Sequence, residues 1–238
     1  MLTTIKPNPS IRILYEDHDL LVCVKPAGIA AQTKKSGQQD MVSLLQNYRH
    51  QNGEEPYIGL VHRLDQPVEG ILVFGKHAGS AAALSRQLTQ GSFSKGYLAV
   101  TEGIMPSREG KLVDFLKKDG RANRSAVVGQ TEPGAKRAEL LYQVLQTDPR
   151  EQPVQNLVKI QLLTGRHHQI RVQMAHLGTP LAGDRKYARQ SKRTETCREG
   201  LGLCACELEF YHPAEKKRMN FEIVPSQAVF QKFYRATI

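Results

Sequence analysis

At 238 residues and 40% hydrophobic content, the chain is long enough to bury a core as one large domain or two small ones. No apolar run approaches the ~20 residues that cross a bilayer, and the N-terminus lacks the charged head and apolar stretch of a signal peptide, so a cytoplasmic location is expected. A net charge of +10 points to a polyanionic partner, because Lys and Arg release counterions from phosphates, while the 6% aromatic share and the lack of Trp argue against a repeated base-stacking platform.

In chain order, residues 11–15 and 20–24 are short apolar runs that read as a hairpin, closed by the turn Pro26-Ala27-Gly28. Residues 40–45 have helical spacing with Asp40 as N-cap. Apolar runs at 58–61 and 71–74 flank a polar turn with Pro67 and Gly70, which predicts strand, loop, strand. Residues 77–88 are rich in Ala and Leu and stop at Gly91, which predicts a helix. A strand carrying Lys95 and Tyr97 follows at 94–103.

Residues 103–137 are looser and basic, with Lys111, Lys117, Lys118, Arg121, Arg124, Lys136 and Arg137, and read as an excursion from the core. Strands are predicted at 138–145 and 157–163. Helical periodicity then covers 166–177, with Ile170, Met174 and Leu177 at i, i+4 and i+7, ended by Gly178 and Pro180. A basic loop at 185–198 contains Lys192 and Arg193. Residues 201–211 and 218–224 read as a closing antiparallel pair, and Ser226 as the cap of a last helix. The expected class is α+β: a largely antiparallel mixed central sheet flanked by helices and loops, in a single domain over residues 1–238.

Of the four cysteines, Cys204 and Cys206 face one side of a strand. No further ligands stand at metal spacing, so buried reduced thiols are the expectation. His167 and His168 resemble a metal pair, but adjacent helical residues point in different directions and chelate poorly. More informative is the string LVHRLDQPVEGILVF. It sets Asp65 at the end of an apolar strand, beside Arg63 and His62, on a loop held by a rigid scaffold yet open to a ligand. The loop alone equally allows an Asp that merely starts a turn.

Three segments together resemble the RluA-type pseudouridine synthases. They are VHRLDQPVEGILVF, SKGYLAVTEG and LLTGRHHQIRVQMAHLGTPLAGDRKY, with weaker echoes in DLLVCVKPAGIAAQ and LCACELEFYHP. The resemblance implies the pseudouridine synthase fold and the conversion of uridine in ribosomal or transfer RNA to pseudouridine, without metal or organic cofactor. It implies Asp65 as nucleophile, Arg166 as its paired cation, Tyr97 against the target base, and Arg63 near the space left by the flipped nucleotide. His62, Lys95, Gln169 and Arg171 are expected to orient the site or touch RNA, and Lys192 and Arg193 to bind RNA. Asp184 and Tyr187 are expected to be architectural. Family members often carry a small RNA-binding module ahead of this domain, which the few residues before the first strand do not supply. A monomer with no obligate protein partner is expected. Where the family commonly shows Thr-Ser-Gly after the aspartate, this chain has Val68-Glu69-Gly70, which would put a charge near the RNA pocket. The competing reading is an inactive RNA-binding or ribosome-assembly protein on the same fold.

Overall fold

The computed structural model describes residues 11–33, 37–188 and 200–235, and among these one sheet of 11 strands carries the architecture. Its first edge is the hairpin of β1 (Arg12–Glu16) and β2 (Leu20–Lys25), closed by Asp17, whose Oδ1 accepts the N–H groups of Asp19 and Leu20. β2 lies antiparallel to β4 (Glu69–Gly75), and every residue of both strands is buried. Their runs are continuously apolar, not alternating, because both faces are covered. On the front, Leu21, Cys23, Leu72 and Phe74 cluster with Met41, Leu44 and Leu45 of α1 (Met41–Gln51). On the back, Leu20, Val22, Ile71 and Val73 cluster with Leu84 of α2 (Ala78–Gln90) and with Val229 and Phe230 of α4 (Ala228–Arg235).

β4 pairs in parallel with β10 (Leu203–Tyr211), the one parallel strand pair among the described residues. β10 then runs antiparallel to β5 (Ser94–Glu102), and the sheet continues through β9 (Gln155–Leu162), β8 (Lys136–Asp148), β6 (Glu109–Asp119) and β7 (Arg124–Val128). β11 (Arg218–Glu222) pairs with β10, and β3 (Gly59–Leu60) with β4. The α+β class and the largely antiparallel sheet are as the sequence predicts.

Local signals account for the helices. Asp40 caps α1, as predicted, and with Ser43 it closes a capping box. His77 does the same for α2, its Nδ1 accepting from the Ser80 N–H, and Gly91 ends that helix in the left-handed region at φ 79°. α3 (Gln169–His176) starts later than its periodicity predicts, because His168 is itself left-handed at φ 53°.

Three expectations are corrected here. The basic stretch 103–137 contains the ordered hairpin β6–β7, which extends the sheet beyond β8; its buried or half-buried Leu112, Leu116 and Val127 are interleaved with Lys111, Lys117 and Lys118, so charge masked the strand. Ser226 gives its hydroxyl to Glu69 Oε1 at 2.7 Å and its N–H to Oε2 at 3.0 Å instead of capping α4. Glu69, buried at 6% exposure, therefore ties β4 to the lead into the last helix and does not charge the RNA pocket.

Gly70 is required by the β4–β10 contact: its φ is 154°, and a Cβ there would stand 2.5 Å from Ala205 Cβ and 2.6 Å from its carbonyl oxygen. Gly70→Ala is expected to destabilise the fold by about 2–3 kcal/mol, read from the urea midpoint at unchanged slope.

Candidate active site

The Asp65 loop is anchored from below by a buried lysine. Lys25, at the end of β2, is fully buried and donates to the carbonyls of Ile29 (2.7 Å), Pro26 (2.9 Å) and Gln66 (3.1 Å). Burial draws its pKa down to about 8, with the charges of Asp65 and Glu69 opposing that shift, so it stays an ammonium at neutral pH. Gln66 is further zipped to Gly28 by bonds of 2.8 and 2.9 Å, and the Val68 N–H closes a turn on the Asp65 carbonyl at 3.0 Å. The backbone around Asp65 is thus fixed on both sides.

Asp65 itself is partly exposed, at 27% of its side chain. Its Oδ2 faces Arg171 Nη1 at 3.3 Å and His168 Nε2 at 3.5 Å. Its Oδ1 has no hydrogen-bond partner among the described residues, so one lone-pair-bearing oxygen is open to the pocket. Arg171 sits on α3 and is 4% exposed. Its Nε and Nη2 grip both oxygens of buried Asp184 at 2.8 and 2.7 Å, and its guanidinium lies 5.2 Å from the Tyr187 ring centroid. Burial works against the Arg171 charge, but the hydrogen bonds and charges of Asp184 and Asp65 outweigh it and raise its pKa.

The cation beside Asp65 is therefore Arg171, and the expectation that Arg166 fills that place is corrected. Arg166 is exposed; its Nε donates to the Arg137 carbonyl at 2.8 Å, and it lines the pocket from the rim. The helix starting at Gln169 explains the difference: Arg171 is carried inward on its first turns, whereas Arg166 stays on the loop before it.

The open pocket is bounded by Arg63, Asp65, Tyr97, Leu162, Arg166, His168, Arg171 and Leu203. Tyr97 projects from the middle of β5 and is 6% exposed; burial and the Asp65 charge push its pKa up, so it is a neutral phenol. Arg63 is exposed at the rim and makes no ion pair among the described residues. Lys95 stands near the Thr164-Gly165-Arg166 loop, with its Nζ 4.0 Å from where a Gly165 side chain would begin, and burial lowers its pKa. Gln169 is a brace, not a surface group: it accepts from Thr164 Oγ1 and the Arg166 N–H at 2.9 Å each and donates to the Glu139 carbonyl at 3.0 Å. Lys192 and Arg193 lie outside the described residues.

His62 is also corrected. It is 6% exposed, accepts the Val73 N–H at 3.3 Å, and meets Phe93 edge-on at 5.1 Å, so it belongs to the packing behind the loop and does not reach RNA. The sequence reading overlooked His168 and Lys25. The visible signal for Lys25 was a lysine ending an otherwise apolar, buried run. Among the described residues, His18, Asp19 and His77, and likewise Asp17, Asp19 and His212, could hold a cation, but both groups sit by the β1–β2 turn and not at Asp65.

A family model described as RNA pseudouridylate synthase matches residues 19–176. The chain belongs to this family. It is 37% identical over 219 residues to the "Uncharacterized RNA pseudouridine synthase YhcT" of Bacillus subtilis, covering 92% of this chain and 68% of that one. It is 31% identical over 225 residues to ribosomal large subunit pseudouridine synthase D of Zymomonas mobilis, covering 89% and 68%. The solved structure of human RNA pseudouridylate synthase domain containing 4 matches with a TM-score of 0.75 at 21% identity, over 94% of this chain and 92% of that one, which shows a common fold. The chain is an RNA pseudouridine synthase, and no helix among its described residues is long and apolar enough to cross a membrane.

Arg171→Met is expected to cost about 3–5 kcal/mol of stability, because it strands the Asp184 carboxylate without its cation, whereas Arg166→Met stays within about 0.5 kcal/mol. Urea unfolding of the two variants distinguishes them. A second expectation concerns His62, whose pKa is held down to about 3 by burial and the Lys95 charge. Between about pH 6.5 and 3 the unfolded chain binds the extra proton, so stability falls as pH falls, by about 1.4 kcal/mol per pH unit. His62→Gln keeps an acceptor for Val73 and should lose about 2 kcal/mol less than wild type between pH 7 and pH 5. Equal losses would show that His62 titrates normally.

Proposed function

We propose that the chain isomerises one or more uridines in structured RNA, with Asp65 as the nucleophile acting on a nucleotide swung out of its stack. The reading rests on one observation: a carboxylate with a free oxygen stands at a pocket, 3.3 Å from a buried guanidinium. In the reaction the N1–C1′ bond breaks, the uracil turns, and a C5–C1′ bond forms; the proton on C5 leaves and N1 ends protonated. Atoms balance with no redox change, so no cofactor is required. Asp65 attacks through Oδ1, and the bond it forms to the nucleotide breaks again before the product leaves, which regenerates the carboxylate; Oδ2 stays near Arg171 throughout. Tyr97, a neutral phenol with an apolar ring face, lies against the base and holds it while it is detached. Arg171 holds Oδ2 of the attacking group through Nη1.

Ribosomal RNA is the favoured substrate class over transfer RNA, because the matched relative from Zymomonas mobilis is named for the large ribosomal subunit. Extruding a base costs a few kcal/mol, least in loops and bulges, which favours a uridine already loosened by RNA structure. Arg63 and Arg166 at the rim supply phosphate contacts, and the exposed Lys118, Arg121 and Arg124 of the β6–β7 hairpin extend that positive surface. The inactive RNA-binding reading lost its support when Glu69 proved to face Ser226.

Mapping of pseudouridine in ribosomal and transfer RNA from wild-type and deletion strains tests the substrate, with loss confined to large-subunit RNA expected. In vitro, Asp65→Ala should lower turnover on the order of a thousandfold or more with RNA affinity retained. Full activity in that variant would refute the nucleophile. Arg166→Met and Arg63→Met should instead raise KM and reduce the salt slope of binding by about one each, with turnover at saturation little changed.

A further inference from the structure

The two histidines before α3 are joined to the turn of the β6–β7 hairpin by a chain of contacts that ends on Asp65. The Tyr187 hydroxyl accepts the Ser125 backbone N–H at 2.8 Å, a group that can only donate. The hydroxyl proton then goes to His168 Nδ1, 2.6 Å away and the one acceptor it has among the described residues. An imidazole that accepts at Nδ1 carries its own proton on Nε2, and Nε2 points at Asp65 Oδ2 from 3.5 Å. Burial, helped by Arg171, His167 and Lys186 and opposed by Asp65, lowers the His168 pKa to about 4, so the ring is a neutral donor at pH 7. His167 stacks on His168 at 3.7 Å and is held by Ser125 Oγ at 2.9 Å and Asn123 Oδ1 at 3.1 Å. Lys186 Nζ donates to the Asn123 carbonyl at 2.8 Å. The hairpin turn thereby fixes the position, plane and tautomer of His168.

Resting on the reading of Asp65 as nucleophile, we propose that His168 is a positioning residue for that carboxylate, held as its Nε2–H tautomer by the β6–β7 turn through Tyr187. At 3.5 Å the contact is longer than a good hydrogen bond, and it tightens when RNA fills the pocket, as bonds at unliganded sites commonly do. The N–H then holds Oδ2 together with Arg171 and presents Oδ1 to the nucleoside. The hairpin that offers Lys118, Arg121 and Arg124 to RNA is in this way part of the support of the reacting group.

The test is single-turnover and steady-state pseudouridine formation on a large-subunit RNA transcript, with RNA affinity and melting temperature measured for each variant. His168→Leu is expected to lower kcat about 10²-fold with KM and affinity within twofold. His168→Gln, which can place an N–H where Nε2 stood, restores most of that loss. His168→Asn can still accept from Tyr187 but is too short to reach Asp65, and behaves like leucine; it replaces the leucine variant should that one fail to fold. Tyr187→Phe lowers kcat about tenfold in the wild type and has no further effect in the glutamine variant, since the two act in series. Equal losses in the glutamine and asparagine variants, or a Tyr187→Phe effect undiminished in the glutamine background, would overturn the donor role. Wild-type kcat in His168→Leu alongside an inactive Asp65→Ala would overturn this proposal and leave the nucleophile standing. An active Asp65→Ala would instead remove the reading beneath it.

Discussion

The site depends on a guanidinium buried between two unequal carboxylates. Arg171 is 4% exposed, and taking it out of water costs several kcal/mol unless its donors are matched. Asp184 meets most of that cost with a bidentate grip at 2.7 and 2.8 Å, and Asp184 is itself fixed by the N–H groups of Lys186 and Tyr187 at 2.9 and 3.2 Å. Only Nη1 remains for Asp65, at 3.3 Å. The strong pair thus belongs to Asp184, and the weak one to Asp65, the proposed nucleophile. A nucleophile clamped by two short ionic hydrogen bonds would have to break them to attack. Here the cation is secured by its neighbour and Asp65 keeps an unpaired oxygen.

The fold makes this possible by bringing three distant stretches to one face of the sheet. Lys25 at the end of β2 holds the loop after Asp65, β5 supplies Tyr97, and the first turns of α3 supply Arg171. The parallel pairing of β4 with β10 sets β10, with Leu203 and Ala205, between β4, which follows the Asp65 loop, and Tyr97 of β5. Gly70 permits that pairing where any side chain would strike Ala205. Glu69, next to it, points to the other side and fastens the C-terminal segment. Two neighbouring residues of one strand therefore serve the site and the opposite layer, as the period of two in a strand requires.

Much of this was legible before any coordinates. The buried runs of β2 and β4, the Asp40 cap, the Gly91 stop and the placement of Asp65 between two apolar runs all follow from local pattern, and local pattern is what sequence records directly. The failures share one cause, which is tertiary partnership. Arg166 and Arg171 lie five residues apart in one motif, and nothing local says which faces inward. Asp184, 13 residues further on, decides it. His62 reads as a polar neighbour of Asp65 but turns to Val73 and Phe93. Glu69 reads as a charge in the RNA pocket until Ser226, 157 residues away, takes it. The basic hairpin read as an excursion because a strand that carries lysines on its open face conceals its alternation.

The distribution of charge separates affinity from chemistry. Many of the cations that give the chain its excess are already paired on the surface: Lys111 with Glu139, Lys117 with Glu132, Lys159 with Glu207 and Arg218 with Glu209. Exposed pairs of this kind contribute about 0–1 kcal/mol to stability and add little to the field at a distance. Arg63, by contrast, stands at the pocket rim with no such pair among the described residues, and Arg166 commits only its Nε, to a carbonyl. The mouth of the pocket therefore offers cations that are not committed to carboxylates among the described residues. Inside it, the Arg171 guanidinium in reach of Asp65 also grips both oxygens of Asp184.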